Sequence, residues 1–133
     1  MGTVGYLLDT HAFLWAIHEE GSKLSENAKC LLRAPSAPIY VSAASAYEII
    51  NKYRIGKLPD YAYVAENYLS ILNEFGAYEL PLLTVHAHYA GKIEWDHRDP
   101  FDRMLAAQAI IDNLSLVTSD PAFHALSQVS VFW

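Results

Sequence analysis

Apolar positions along this chain come in short runs separated by amphipathic stretches, and the two kinds of segment alternate. Residues 4–8 (VGYLL) form a brief apolar run ending abruptly at Asp9, the pattern of a buried strand. A helix follows that Thr10 is placed to cap and that carries Leu14, Trp15 and Ile17. Residues 25–33 predict a second helix, stopped by Pro35 and Pro38. Residues 39–41 predict a second strand and residues 42–53 a third helix, ended by Gly56. From Asp60 onward Tyr61, Ala65, Tyr68, Leu72 and Phe75 recur at steps of four and three, one helical stripe that Gly76 closes. Residues 78–80 make a short strand before Pro81, and a helix runs from Thr84 to about Ile93. Asp99-Pro100 places an N-cap acid before a proline at the first helical position, so a helix starts there and reaches about Asn113. Residues 116–118 and 129–132 read as the last two strands.

Strands that alternate with helices imply a parallel sheet covered on both faces, an α/β fold. No repeat, linker or low-complexity tract divides the chain, so residues 1–133 are expected to form a single domain. A chain of this size buries about two thirds of the surface it exposes when unfolded and needs no covalent staples. Cys30 is the only cysteine, so neither an internal disulfide nor a Cys/His zinc motif is available. The first apolar run is too short for a signal peptide, and no stretch approaches a membrane span. Met1-Gly2 resembles a myristoylation start, but Tyr6 stands where Ser or Thr is wanted. A cytoplasmic protein without membrane contact is expected. The net charge of −6 argues against a broad phosphate-gripping platform but not against a nuclease built on carboxylates.

In open parallel sheets, ligands bind beyond the carboxyl ends of the strands. Asp9 and Asp120 fall just past the first and fourth strands, Glu48 on the helix after the second, and Asp102 in the first turn of the helix that feeds the fourth. All are therefore placed to reach one edge. Carboxylates without cysteine or a consistent histidine make an all-oxygen site suited to Mg²⁺ or Mn²⁺. Clustered, they repel one another, and a cation relieves the repulsion while helping to activate water and neutralise a phosphodiester. Each acid also has a plainer role. Asp99 serves as an N-cap, Asp102 as an acid favoured by the helix dipole, Glu48 as the end of a Ser45-to-Glu48 capping box, and Asp120 as a turn residue before Pro121. Asp9 is hardest to dismiss, because a carboxylate ending a buried strand needs a partner or ligand. Lys52, Arg54 and Lys57 after Glu48, with Arg98 and Arg103 around Asp99 and Asp102, form a candidate basic rim for phosphates, against the plainer reading of solvated or salt-bridged charge. The six histidines, His86 and His88 among them, show no metal-ligand spacing.

Taken in order, YLLDTH (6–11), VSAAS (41–45) with Glu48, RIGKL (54–58), HRDPFDR (97–103) and LVTSD (116–120) resemble a PIN-domain ribonuclease of the VapC toxin type. The motifs span nearly the whole chain; RDPFDR and LVTSD together are specific, whereas LLDTH alone is not. The resemblance implies a Rossmann-like α/β/α sandwich and Mg²⁺- or Mn²⁺-dependent endoribonuclease activity. It implies catalytic and metal-holding roles for Asp9, Glu48, Asp102 and Asp120, with Thr118, Thr10 and Asp99 in support. It also implies a homodimer and a cognate antitoxin protein that blocks the site. The alternatives are a catalytically silent PIN-like module that binds RNA or protein, and an aspartyl-phosphate enzyme. The latter fits poorly, because His11 stands where such a phosphatase wants a second acid.

Overall fold

The computed structural model describes residues 4–18 and 23–133, so the Met1-Gly2 start lies outside the described residues. Strands β1 (Tyr6–Leu8), β2 (Ile39–Ser42), β3 (Tyr78–Leu80), β4 (Ser115–Val117) and β5 (Ser130–Phe132) form one sheet in the order β3-β2-β1-β4-β5. Every neighbouring pair is parallel, with Leu7 beside Tyr40 on one side and Leu116 on the other. Successive strand residues face opposite ways, and that alternation builds two cores. Leu8, Val41 and Val117 point to one face, and Leu7 and Leu116 to the other. The first face is covered by α1 (Thr10–Ile17), α2 (Glu26–Arg33), α3 (Ala43–Arg54), α4 (Ala62–Glu66) and α5 (Tyr68–Phe75), which supply Phe13, Ala28, Ile49, Val64 and Tyr68. The second face is covered by α6 (Thr84–Lys92) and α7 (Pro100–Ile111), which supply Ala90, Leu105, Ala106 and Ala109. This is the expected α/β/α sandwich, and among the described residues no helix is long and apolar enough to cross a membrane.

Three local expectations change, each for a polar reason. Asp9, not Thr10, caps α1: its backbone is extended and its Oδ1 accepts from the Ala12 amide at 2.7 Å. Thr10 is the first helical residue, which frees its hydroxyl for other use. Ser42 caps α3 by accepting from Ala44, so Ser45 and Glu48 form no capping box, and both are buried side chains within the helix. The stripe from Tyr61 to Phe75 is not one helix. A 3₁₀ turn (Pro59–Tyr61), α4 and α5 meet at Asn67, whose φ of −125° interrupts the helix. The stripe still faces the core, with Tyr61 and Tyr68 buried and Leu72 and Phe75 packed against the cluster. Gly56 and Gly76 both adopt a φ of +85°, which explains why the preceding helices end there.

One buried polar link ties the two faces together. Gln108 of α7 is fully buried; its Oε1 accepts from the Ser42 hydroxyl at 2.6 Å, and its Nε2 donates to the Pro81 carbonyl at 3.2 Å. That pair of bonds fixes the rotation of α7 against the ends of β2 and β3. It therefore bears on where Asp102, nearly two turns earlier on the same helix, points.

Candidate active site

The chain runs from β1 to β2 on one side and only later returns to place β4 on the other. The boundary between β1 and β4 is thus a topological switch point, where the loops after adjacent strands diverge and leave a crevice. A cleft of about 390 Å³ opens there, lined by Asp9, Thr10, His11, Trp15, Glu48, Lys52, His97, Asp99, Asp102, Ser119 and Asp120. Every acid singled out in the sequence lines it, although they come from four separate segments.

Each acid is held by a different device. Asp9 leaves β1 with its amide bonded to the Val117 carbonyl at 3.0 Å. Its Oδ2 accepts from the buried Thr118 hydroxyl, and the same Thr118 oxygen accepts from the Asp120 amide at 3.0 Å. One threonine therefore spaces two acids. Asp120 accepts in turn from the Ala122 amide at 2.9 Å, the N-cap of a 3₁₀ turn (Pro121–Ala125). Glu48 is buried; Oε1 accepts from Thr10 at 2.6 Å and Oε2 pairs with Lys52 at 2.5 Å. Thr10 also meets Ser45 at 3.0 Å, so both former capping candidates act as support for Glu48. Asp99 turns back to cap α7, accepting from the amides of Phe101 (2.8 Å) and Asp102 (3.1 Å). Asp102 Oδ2 lies 2.7 Å from His97 Nε2.

The electrostatics record the crowding. Burial pushes the Asp9 carboxyl above its usual range, against the pull of the bonds from Thr118 and Ala12 and the nearby His11, and Asp120 pushes the same way as burial. Asp102 is pushed up to about 6, first by burial, with Asp99 and Glu48 adding repulsion and His97 opposing. Buried carboxylates that repel one another are a donor set that a hard cation relieves. All the acid donors are oxygens, which fits Mg²⁺ or Mn²⁺. Among the described residues no three Asp, Glu, His or Cys side chains are drawn together closely enough to hold a metal ion in this arrangement. The donors are cleft-lining carboxylates, two of them raised by burial.

Of the proposed basic rim, only Lys52 lines the cleft, and its ammonium is engaged by Glu48. Arg98 is exposed and borders a separate depression with Ala87, Gly91 and Met104. Arg103 has a structural task. Its guanidinium donates to the carbonyls of Ala90 (2.9 Å), Ile93 (2.7 Å), Trp95 (2.9 Å) and His97 (2.9 Å). A planar fork of donors matches several carbonyls at once in a way an ammonium does not. Arg103→Lys is accordingly expected to destabilise the fold by about 3 kcal/mol, as several charge-assisted bonds are lost and their carbonyls left underpaired. Urea unfolding of both forms measures it, and an unchanged midpoint would refute the tether. His11, Trp15, His97 and Ser119 also line the cleft and were not anticipated as site residues. For His11 the signal was available, two residues past Asp9; for His97 it was masked by a loop of undefined path.

A family model for the PIN domain matches residues 6–129. The chain belongs to the PIN-domain family. PIN domains are generally nucleases, and the acidic cleft is consistent with that chemistry. Solved structures show the same fold at low sequence identity. They include VapBC from Salmonella typhimurium bound to DNA (TM-score 0.71, 18% identity, 97% of each chain covered). VapBC2 from Rickettsia felis, bound to a DNA fragment from the promoter, gives 0.69 and 19%, with 96% of each chain covered. FitAcB from Neisseria gonorrhoeae gives 0.65 and 22%, again with 96% of each chain covered. No match emerges among curated proteins.

Proposed function

We propose that this PIN-domain protein is a divalent-metal-dependent endoribonuclease, the toxin of a toxin–antitoxin pair, hydrolysing RNA phosphodiester bonds with water as the nucleophile. The observation that carries the reading is the meeting of Asp9, Glu48, Asp102 and Asp120 in one cleft at the sheet's switch point. Asp9 and Asp102 would hold Mg²⁺ or Mn²⁺, with Asp120 and Glu48 contributing directly or through water. When bound, the cation supplies charge neutralisation at the scissile phosphate and a lowered pKa for an attacking water. The chain's own residues do the rest. Thr118 fixes Asp9 relative to Asp120, and Thr10 fixes Glu48. Lys52 offsets the Glu48 charge and is the cleft's own cation for an incoming phosphate. The test is incubation with single-stranded RNA and Mn²⁺, with and without excess EDTA. Fragments that form only without EDTA support the reading; intact RNA together with measurable RNA binding would favour a silent binding module.

A similar fold occurs in a toxin–antitoxin complex from Klebsiella pneumoniae, and a second subunit or an antitoxin is proposed here as well. Apolar side chains around α4 and α5 are the surface in question. Tyr63 is 70% and Leu69 77% exposed, far more than a core-facing stripe requires. Val64 and Ile71 of the same helices do not extend that surface: Val64 is buried and Ile71 packs against the core. Tyr63→Glu combined with Leu69→Glu should weaken self-association or antitoxin binding about tenfold or more while leaving the melting temperature unchanged. Light scattering and a titration with a candidate antitoxin encoded beside the protein's gene measure this, and unaltered behaviour in both would refute the assignment.

A further inference from the structure

His97 is bonded to one of the cleft acids without being an acid itself. Its Nε2 meets Asp102 Oδ2 at 2.7 Å, and its ring lies partly open to the cleft. The ring is braced from two sides. Trp95 packs against it with ring centroids 4.8 Å apart, and Trp95 itself packs on buried Phe123 at 5.5 Å. The main chain is held by Arg103, whose guanidinium takes the His97 carbonyl together with those of Ala90, Ile93 and Trp95. Consecutive helix residues point about 100° apart. At the start of α7, Asp102 therefore faces the cleft while Arg103 clamps the segment that delivers His97 back to Asp102. With Oδ2 taken, Asp102 keeps Oδ1, to which no hydrogen bond runs among the described residues.

The chemistry of this pairing differs from that at Glu48. Lys52 brings a full positive charge to its carboxylate. An imidazole N–H donates a hydrogen bond without requiring a charge, so it can fix a carboxylate and leave that group's attraction for a cation intact. Side chains that orient metal-ligating groups in this way raise affinity by removing rotamer freedom before the ion arrives.

We propose that His97 is a positioning residue for the cation site: it donates from Nε2 to Asp102 Oδ2 and so presents Oδ1 to a divalent metal. The inference rests on the metal-dependent reading above. Its test is calorimetric titration of Mn²⁺ into wild type, His97→Ala and His97→Gln, with thermal melting of each in EDTA. His97→Ala should weaken Mn²⁺ binding by about 10- to 100-fold with little change in the EDTA melt. His97→Gln, whose amide nitrogen reaches close to the position of Nε2, should recover most of the affinity. Should the alanine variant fail to fold, His97→Asn, whose amide stops short of Asp102, should weaken Mn²⁺ in the same way. Wild-type Mn²⁺ affinity in folded His97→Ala or His97→Asn overturns the positioning role while leaving the metal reading standing. Lowered EDTA melting with unchanged Mn²⁺ affinity shows a purely structural role and likewise overturns it. Absence of Mn²⁺ binding by wild type overturns both readings.

Discussion

Asp9→Asn is expected to lower RNA cleavage by roughly 100-fold or more while the protein stays folded. The loss follows from removing a charge that no other cleft group replaces; each factor of ten corresponds to about 1.4 kcal/mol of transition-state stabilisation, and a site cation supplies several kcal/mol of it. The fold should survive because Asn keeps an oxygen for the Ala12 amide and so still caps α1. Burial penalises the ionised form of Asp9, so the neutral amide also removes a desolvation cost. That gain offsets the lost oxygen acceptor for the Thr118 hydroxyl, so the melting temperature in EDTA should change little. Excess EDTA should silence the wild type to the same degree. Cleavage that persists in Asp9→Asn would remove Asp9 from the metal site. Lost cleavage with a collapsed melting temperature would instead assign Asp9 a structural role through its bond from Thr118.

Asp99 and Asp102 look alike in the sequence, three residues apart at one helix start, and the second large effect separates them. Asp99 points its oxygen back at the amides of Phe101 and Asp102, whereas Asp102 turns to the cleft and His97. Asp99→Asn keeps a competent cap and should retain most activity. Asp102→Asn should lose nearly all of it, again roughly 100-fold or more. Asp99→Ala should cost about 1 kcal/mol of stability through the lost cap. Cleavage of a single-stranded RNA in Mn²⁺, with melting curves run in parallel, gives all three results. If Asp99→Asn is as inactive as Asp102→Asn at an unchanged melting temperature, Asp99 belongs to the metal site and the division is wrong.

Much of this molecule is written in local pattern. The apolar run ending at Asp9, the Asp99-Pro100 helix start and Gly76 after the last stripe residue each depend on neighbours within a turn or two, and each element appears where those neighbours place it. The brief strand at Tyr78–Leu80 also forms, because pairing with β2 supplies the bonds that three residues cannot provide alone. The parallel α/β class follows from the alternation itself. That the acids share an edge was legible for the same reason: strand ends are local features, and a parallel sheet aligns them.

What only the tertiary structure decided is which partner each polar group takes. Ser45 and Glu48 have capping-box spacing, yet Glu48 turns to Thr10 of α1 and to Lys52 one turn on, because Ser42 already caps the helix and Thr10 satisfies the buried carboxylate from a distant segment. Arg103, which the sequence places beside the acids as a phosphate ligand, spends its donors on four carbonyls of a loop whose path no local rule defines. The stripe from Tyr61 to Phe75 keeps its period through the break at Asn67, since burial constrains which side chains face inward and not whether the helix is continuous. His97 reaches Asp102 only once Trp95 and Arg103 have set the loop. Periodicity is a property of consecutive residues and can be read along the chain. A buried hydrogen bond between distant segments is chosen by desolvation cost among whatever groups the fold brings within reach, and that set exists only after folding.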